Sequence, residues 1–241
     1  MTLAEAPLQL MLVGLVAYAV FGGADFGAAF WQLGAHGARG EALRQHAYRA
    51  MGPVWETNHV WLVFVLVVCW TAYPTVFASV FSTLTVPLFA AGIGIVLRGT
   101  AYAVHAGTAR EIDRRAVDGI FSASSILTPF ALGAAIGGIA SGRVPVGNAA
   151  GDPLTSWLNP TSLATGTLFV ASGAYLAAVY LAADAARAGL AEVADAYRVR
   201  ALAAGAGTGA VALAALGVVA YDSPHLRQGL LAWPATLAVV A

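Results

Sequence analysis

Two short stretches of this chain place ionisable side chains where charge is costly. The first is MGPVWETNHVWL, residues 51–62. In it Glu56, Asn58 and His59 lie between Trp55 and Trp61, at the mouth of an uncharged run from Val60 to Val68. On a helix, Glu56 and His59 are i, i+3 neighbours and Trp55 and His59 are i, i+4 neighbours. A carboxylate, an imidazole and an amide in that arrangement can relay a proton. The second stretch is YAVFGGADFGAAFW, whose Asp25 lies inside a long apolar segment. As a helix, that segment puts Asp25 about 7–8 Å from its midplane. A carboxylate at such depth carries function by default. Gly22, Gly23, Ala24, Gly27 and Ala28 surround it, and small residues at four-residue spacing let another helix approach closely.

Each of these residues also has a structural reading. Pro53 suits the first position of a helix, which would put Glu56 in a first turn, satisfying free amides and the helix dipole. The tryptophans serve equally as interfacial anchors. Arg98, at the end of a later apolar stretch, is either a cation snorkelling to the interface or the partner of a buried carboxylate. Asp118 reads as an acid at a helix N-terminus. Cys69, the single cysteine, sits in an apolar run as a small hydrophobe.

The chain that must position these groups has 241 residues, 59% of them hydrophobic and only 10% charged. Soluble domains run at about 25% charged, and a core of this size could not hide so much apolar surface from water. The formal net charge is zero, which gives no reason to expect a nucleic-acid partner. The N-terminus lacks the basic region of a signal peptide, and its apolar stretch is too long for one.

A membrane-spanning helix needs about 20 mostly apolar residues. Six stretches meet that length: 8–33, 53–73, 76–97, 119–140, 162–183 and 199–220. A seventh begins near Gln228 and reaches Ala241, a rise of about 21 Å, so the chain is expected to be C-terminally truncated within a span. Thr128-Pro129 predicts a kink in the fourth span. The expected fold is an all-α polytopic bundle of six full spans plus a partial seventh. It forms a single integral membrane domain over 1–241, with 36–50 as an amphipathic segment along the cytoplasmic surface. Ten of the twelve basic residues, all arginine, follow odd-numbered spans: Arg39, Arg44, Arg49, Arg98, Arg110, Arg114, Arg115, Arg187, Arg198 and Arg200. Arg143 and Arg227 are the exceptions. The positive-inside rule then puts the odd loops in the cytoplasm and the N-terminus outside.

The nucleotide-binding and zinc signatures are absent. Haem ligation would need paired His, Met or Cys within spans. His59 and Cys69 are the candidates there, and they form no convincing pair.

Three segments carry a resemblance. GGADFG (22–27), GPVWETNHVWL (52–62) and TAYPTVFASVFSTLTVPLFAAGIGIVLRG (71–99) resemble subunit II of cytochrome bd-type quinol oxidases, strongly over residues 14–105 and more loosely to about 220. The resemblance implies an eight-span subunit without haem. Its partner, subunit I, would hold two b-type haems and one d-type haem, and the complex would oxidise membrane quinol and reduce O2 to water with protons from the cytoplasm. A bound quinone and a small single-span accessory subunit belong to the same expectation, as does the bacterial cytoplasmic membrane. Glu56, where relatives often carry Asp, becomes the residue of proton uptake, held by Trp55, Asn58 and His59. Asp25 falls in a polar network or near a quinone, and Asp25 and Arg98 become candidates for a quinone, lipid or ion-pair contact. The competing readings are a component of a multi-span secondary transporter, which matched helix breaks in two halves would support, and a membrane scaffold.

Overall fold

The computed structural model of the chain describes residues 5–33, 37–105 and 111–229, without the side chains of 38, 56, 102, 105 and 111–116. Seven long helices follow one another: α1 (Ala6–Leu33), α2 (Gly37–Ala72), α3 (Pro74–Thr83), α4 (Thr85–His105), α5 (Glu111–Ala140), α6 (Pro160–Arg187) and α7 (Ala191–Asp222). A further helix starts at 224 and continues to 229. The expected seventh span lies beyond residue 229, outside the described residues. The described residues contain no strand, as the apolar runs require of a membrane bundle: only a helix satisfies its own backbone in lipid. Five of these helices are long and apolar enough to cross a membrane, and the α3–α4 pair makes a sixth if it counts as one bent span.

That bend is the first departure from the expected pattern. Residues 76–97 read as one span, yet α3 and α4 meet at 87° around Leu84. Pro87 accounts for the break. In a helix continuous from α3, its ring would clash with the Thr83 carbonyl and its nitrogen could not donate to it. Starting a new helix at Thr85 puts Pro87 in a first turn, where a missing N–H is tolerated.

The second departure concerns α2. Residues 37–50 are not a separate surface helix, and Pro53 does not begin one. A single helix of 36 residues runs through Pro53, about 54 Å long against a hydrocarbon core of about 30 Å. Its first turns bury Leu43, His46, Ala47 and Met51 against Ala177 and Leu181 of α6 and Tyr197 of α7, while Glu41, Gln45 and Arg49 stay exposed. Tertiary packing on one face offsets what an interior proline costs, about 3 kcal/mol in an isolated helix. The third departure is α5, which begins at Glu111 and leaves Asp118 two turns inside it rather than at its start.

α1 packs against α2, α5 and α6, and α6 in turn against α5 and α7. The glycines of α1 make its packing possible. A Cβ on Gly27 would stand 1.9 Å from the Gly173 carbonyl oxygen of α6, and one on Gly14 2.9 Å from Val65 of α2. Trp31 locks the same α1–α6 seam by donating its Nε1–H to the Ala174 carbonyl at 2.8 Å.

The helix ends gather at two poles. At one, Tyr197 donates to the Leu43 carbonyl at 3.1 Å, His46 Nε2 meets the Leu181 carbonyl at 3.2 Å, and the Arg200 guanidinium lies over the rings of Trp31 and Tyr197. The helix turns that carry Arg39, Arg44, Arg49, Arg187 and Arg198 are at this arginine-rich pole. At the other, the 141–159 loop is tied to α3 by Gly147 N–H to Ser79 Oγ at 2.9 Å and Ala149 N–H to Ser82 Oγ at 2.8 Å. Asn159 caps α6 by accepting from Ser162 N–H at 3.0 Å.

Candidate functional site

The glycine-rich turn of α1 puts Asp25 at the helix crossing rather than at a lipid face, and its side chain is 0% exposed. Its partner comes from α4. Arg98, 1% exposed, turns inward along α5 instead of outward to the interface. One of its terminal nitrogens donates both to Asp25 Oδ1 and, at 3.1 Å, to the Asp25 main-chain carbonyl. The other donates to Ser125 Oγ of α5, and Ser125 donates its own hydroxyl to the Phe121 carbonyl at 2.6 Å. Phe26 and Phe121 lie on either part of the guanidinium, 4.9 and 4.5 Å from ring centre to Cζ. Aromatic rings against a desolvated cation add to its stabilisation. Gly94 brings α4 close enough to α5 for this contact: a Cβ there would be 2.2 Å from Thr128 Oγ1.

The α2 residues complete the chamber. Trp55 packs at Gly99, next to Arg98 on α4. His59 lies edge-on to Trp55, with ring centres 5.1 Å apart, and its Nδ1 sits 2.8 Å from the Trp55 carbonyl. A carbonyl only accepts, so Nδ1 carries the proton of that bond and Nε2 is the basic nitrogen of the neutral ring. Asn58 is fully buried against the α1 backbone at Gly22. Asp25, Trp55, Asn58, His59 and Arg98 therefore share one polar chamber between α1, α2, α4 and α5. The side chain of Glu56 lies outside the described residues; its backbone is in the same turn of α2 as Trp55 and Asn58, well inside the helix. With α2 starting at Gly37, a helix-start role for residue 56 has no basis.

Sequence reasoning missed Ser125, Phe26, Phe121 and Tyr18. Tyr18 lies within electrostatic reach of both Asp25 and Arg98. Its signal was available, since it stands seven residues before Asp25 and so on the same helix face. Ser125 and Phe121 had none, because only the α4–α5 packing brings them to Arg98.

A fixed cation on a fully buried carboxylate is a charge-neutral unit. Arginine does not deprotonate in proteins, so Asp25 serves first as its counter-ion. The pair is closed to solvent, with both side chains buried. The candidate haem ligands do not come together. His46, His59 and Cys69 all stand on α2, with His46 and His59 about 20 Å apart along it, too far to face one macrocycle, and His46 Nε2 already meets a carbonyl. Among the described residues, no group of three His, Cys, Asp or Glu side chains could hold a metal ion.

The family model described as cytochrome bd terminal oxidase subunit II matches residues 3–241. The chain belongs to that family. It is a multi-pass membrane protein of an oxidoreductase complex. No curated protein matches it. Asp25, Trp55, Asn58 and His59, from two of the motifs on which the bd oxidase resemblance rested, are thus brought by the structure to the neighbourhood of Arg98, from the third.

Proposed function

We propose that this chain is the non-haem subunit of a bd-type terminal oxidase that oxidises membrane quinol and reduces O2 to water. In this reading it supports assembly with the haem-bearing subunit I and delivers cytoplasmic protons towards it. Two b-type haems and one d-type haem reside on that partner. The carrying observation is the chamber itself: a buried cation, its counter-ion, and a half-buried imidazole on α2 within electrostatic reach of that carboxylate. The arginine-rich pole is the cytoplasmic one, by the positive-inside rule, which is the side from which protons come. Glu56 takes up the proton, by the resemblance and by its backbone position beside Trp55 and Asn58. His59 Nε2 receives or relays it, and Arg98 lowers the energy of any anionic carboxylate nearby. The exposed apolar faces of α2 (Val60, Val63, Val67, Trp70) and α7 (Val199, Leu202, Leu213) supply the surface for subunit I, for a small accessory subunit and for lipid.

The test is the Glu56→Gln variant of the assembled complex. Haem content should stay near wild type, while steady-state oxygen consumption per haem d falls on the order of 10²-fold, the low end of what positioned proton transfer contributes. Glu56→Asp should retain much of the rate. Unchanged turnover in the Gln variant would remove proton uptake from this chain.

A further inference from the structure

Asn58 has a side chain without exposed surface, and neither of its amide atoms meets a protein partner. The same holds for Asp25 Oδ2 and for Arg98 Nε in the same chamber. Native proteins rarely bury donors and acceptors unmet, and an amide brings two N–H donors and an accepting oxygen.

The unmet groups converge. A Cβ on Gly22 would stand 2.8 Å from Asn58 Nδ2 and 3.1 Å from Oδ1. The Asn58 amide therefore rests on α1 at Gly22, in space that only a glycine leaves. Asp25 is three residues further along α1. Helical side chains lean towards the N-terminus of their own helix and cover the preceding turn. The Asp25 carboxylate thus lies over the turn that Asn58 faces, with Oδ1 engaged by Arg98 and Oδ2 left over. The two residues make no direct hydrogen bond to each other. A buried polar site bounded by two to four such groups is where ordered water binds in proteins.

We infer that Asn58 and Asp25 bind a buried water between α1 and α2. The water donates one hydrogen to Asp25 Oδ2 and the other to Asn58 Oδ1, or accepts from Asn58 Nδ2. It completes the hydrogen bonding of the carboxylate that Arg98 leaves half-satisfied. It also joins the α1–α4 ion pair to the turn of α2 that carries His59. Asn58 is by this account a positioning residue for the pair. The inference deepens the proposed proton route but does not depend on turnover for its test.

The test is a density map of the assembled oxidase complex at a resolution that shows ordered water. A peak is expected about 2.6–3.2 Å from both an Asn58 amide atom and Asp25 Oδ2. In Asn58→Leu that peak should vanish while the Asp25–Arg98 contact persists. A dry contact in the wild-type map, or an Asn58 amide bonded directly to Asp25 or to a partner side chain, overturns the inference. If Asn58→Leu does not assemble, the wild-type map alone decides. Loss of turnover in Glu56→Gln with no peak at Asn58 would keep the proton route and discard the water.

Discussion

Asp25–Arg98 and Asp222–Arg143 both join segments far apart in sequence, yet they are built on opposite plans. At the pole opposite the arginine-rich one, Asp222 ends α7 and accepts from Thr161 N–H at 3.1 Å, from Thr161 Oγ1 at 2.6 Å and from Arg143 at 3.0 Å. Arg143 also reaches Asn159 Oδ1 at 3.3 Å. Both oxygens of Asp222 are used, and the arginine side chain is 30% exposed. It is a clamp that ties the end of α7 to the start of α6, saturated with bonds to helix termini. The inner pair is sealed from solvent, leaves Asp25 Oδ2 and Arg98 Nε unmet, and lies beside a histidine. A designer of stability would avoid it, since desolvating two charges rarely repays its cost.

The comparison breaks most sharply at the inner pair. Arg98→Leu leaves a buried carboxylate without its cation, and such a loss costs about 3–5 kcal/mol. Recovery of the assembled complex should collapse. Asp25→Asn keeps an acceptor and the size but strands the arginine, so it should lower assembly or quinol oxidase activity as well. The double variant Asp25→Leu/Arg98→Leu should recover more folded protein than Arg98→Leu alone. Additive losses across that cycle would show that the pair is not a unit.

A smaller effect is expected at the Asp222 clamp. Asp222→Asn retains an acceptor for the Thr161 bonds and loses the ion pair with a partly exposed arginine. A shift of about 1 kcal/mol in thermal unfolding is the expected outcome. A loss as large as that of Asp25→Asn would erase the distinction between the two pairs.

The smallest effect belongs to the loop between α5 and α6. The backbone amides of Thr155 and Leu154 hold the exposed Asp152 carboxyl below its ordinary range. A folded-state pKa below the unfolded one stabilises the loop above the usual aspartate value of about 3.9, and that support is lost as pH falls through the lowered value. Hydrogen exchange at Leu154 and Thr155 should therefore speed up only in strongly acidic buffer, and Asp152→Ala should show the faster exchange already at neutral pH. No change in the variant would mean that the turn holds without its carboxylate.

The sequence alone determined the solvent of this protein and five of the residues of its site. A chain with 59% hydrophobic and 10% charged residues must bury its backbone polar groups in helices within lipid, and lone polar residues in apolar runs stand out because each is costly there. Asp25, Trp55, Asn58, His59 and Arg98 were visible on that ground. Tertiary structure decided which of two readings each one takes. Nothing in the local sequence says whether Arg98 snorkels or turns inward; the Gly94–Thr128 contact and the Phe26 and Phe121 rings decide it by giving the guanidinium a site next to Asp25. Nor could Pro53 and Pro87 be told apart by residue type. A proline stops a helix only when nothing else offsets its lost bond, so the packing of Leu43, Ala47 and Met51 on α6 and α7 carries α2 through Pro53. At Pro87 the chain turns by 87° instead. The same proline rule gives opposite outcomes because the energy that settles it lies in contacts with distant helices.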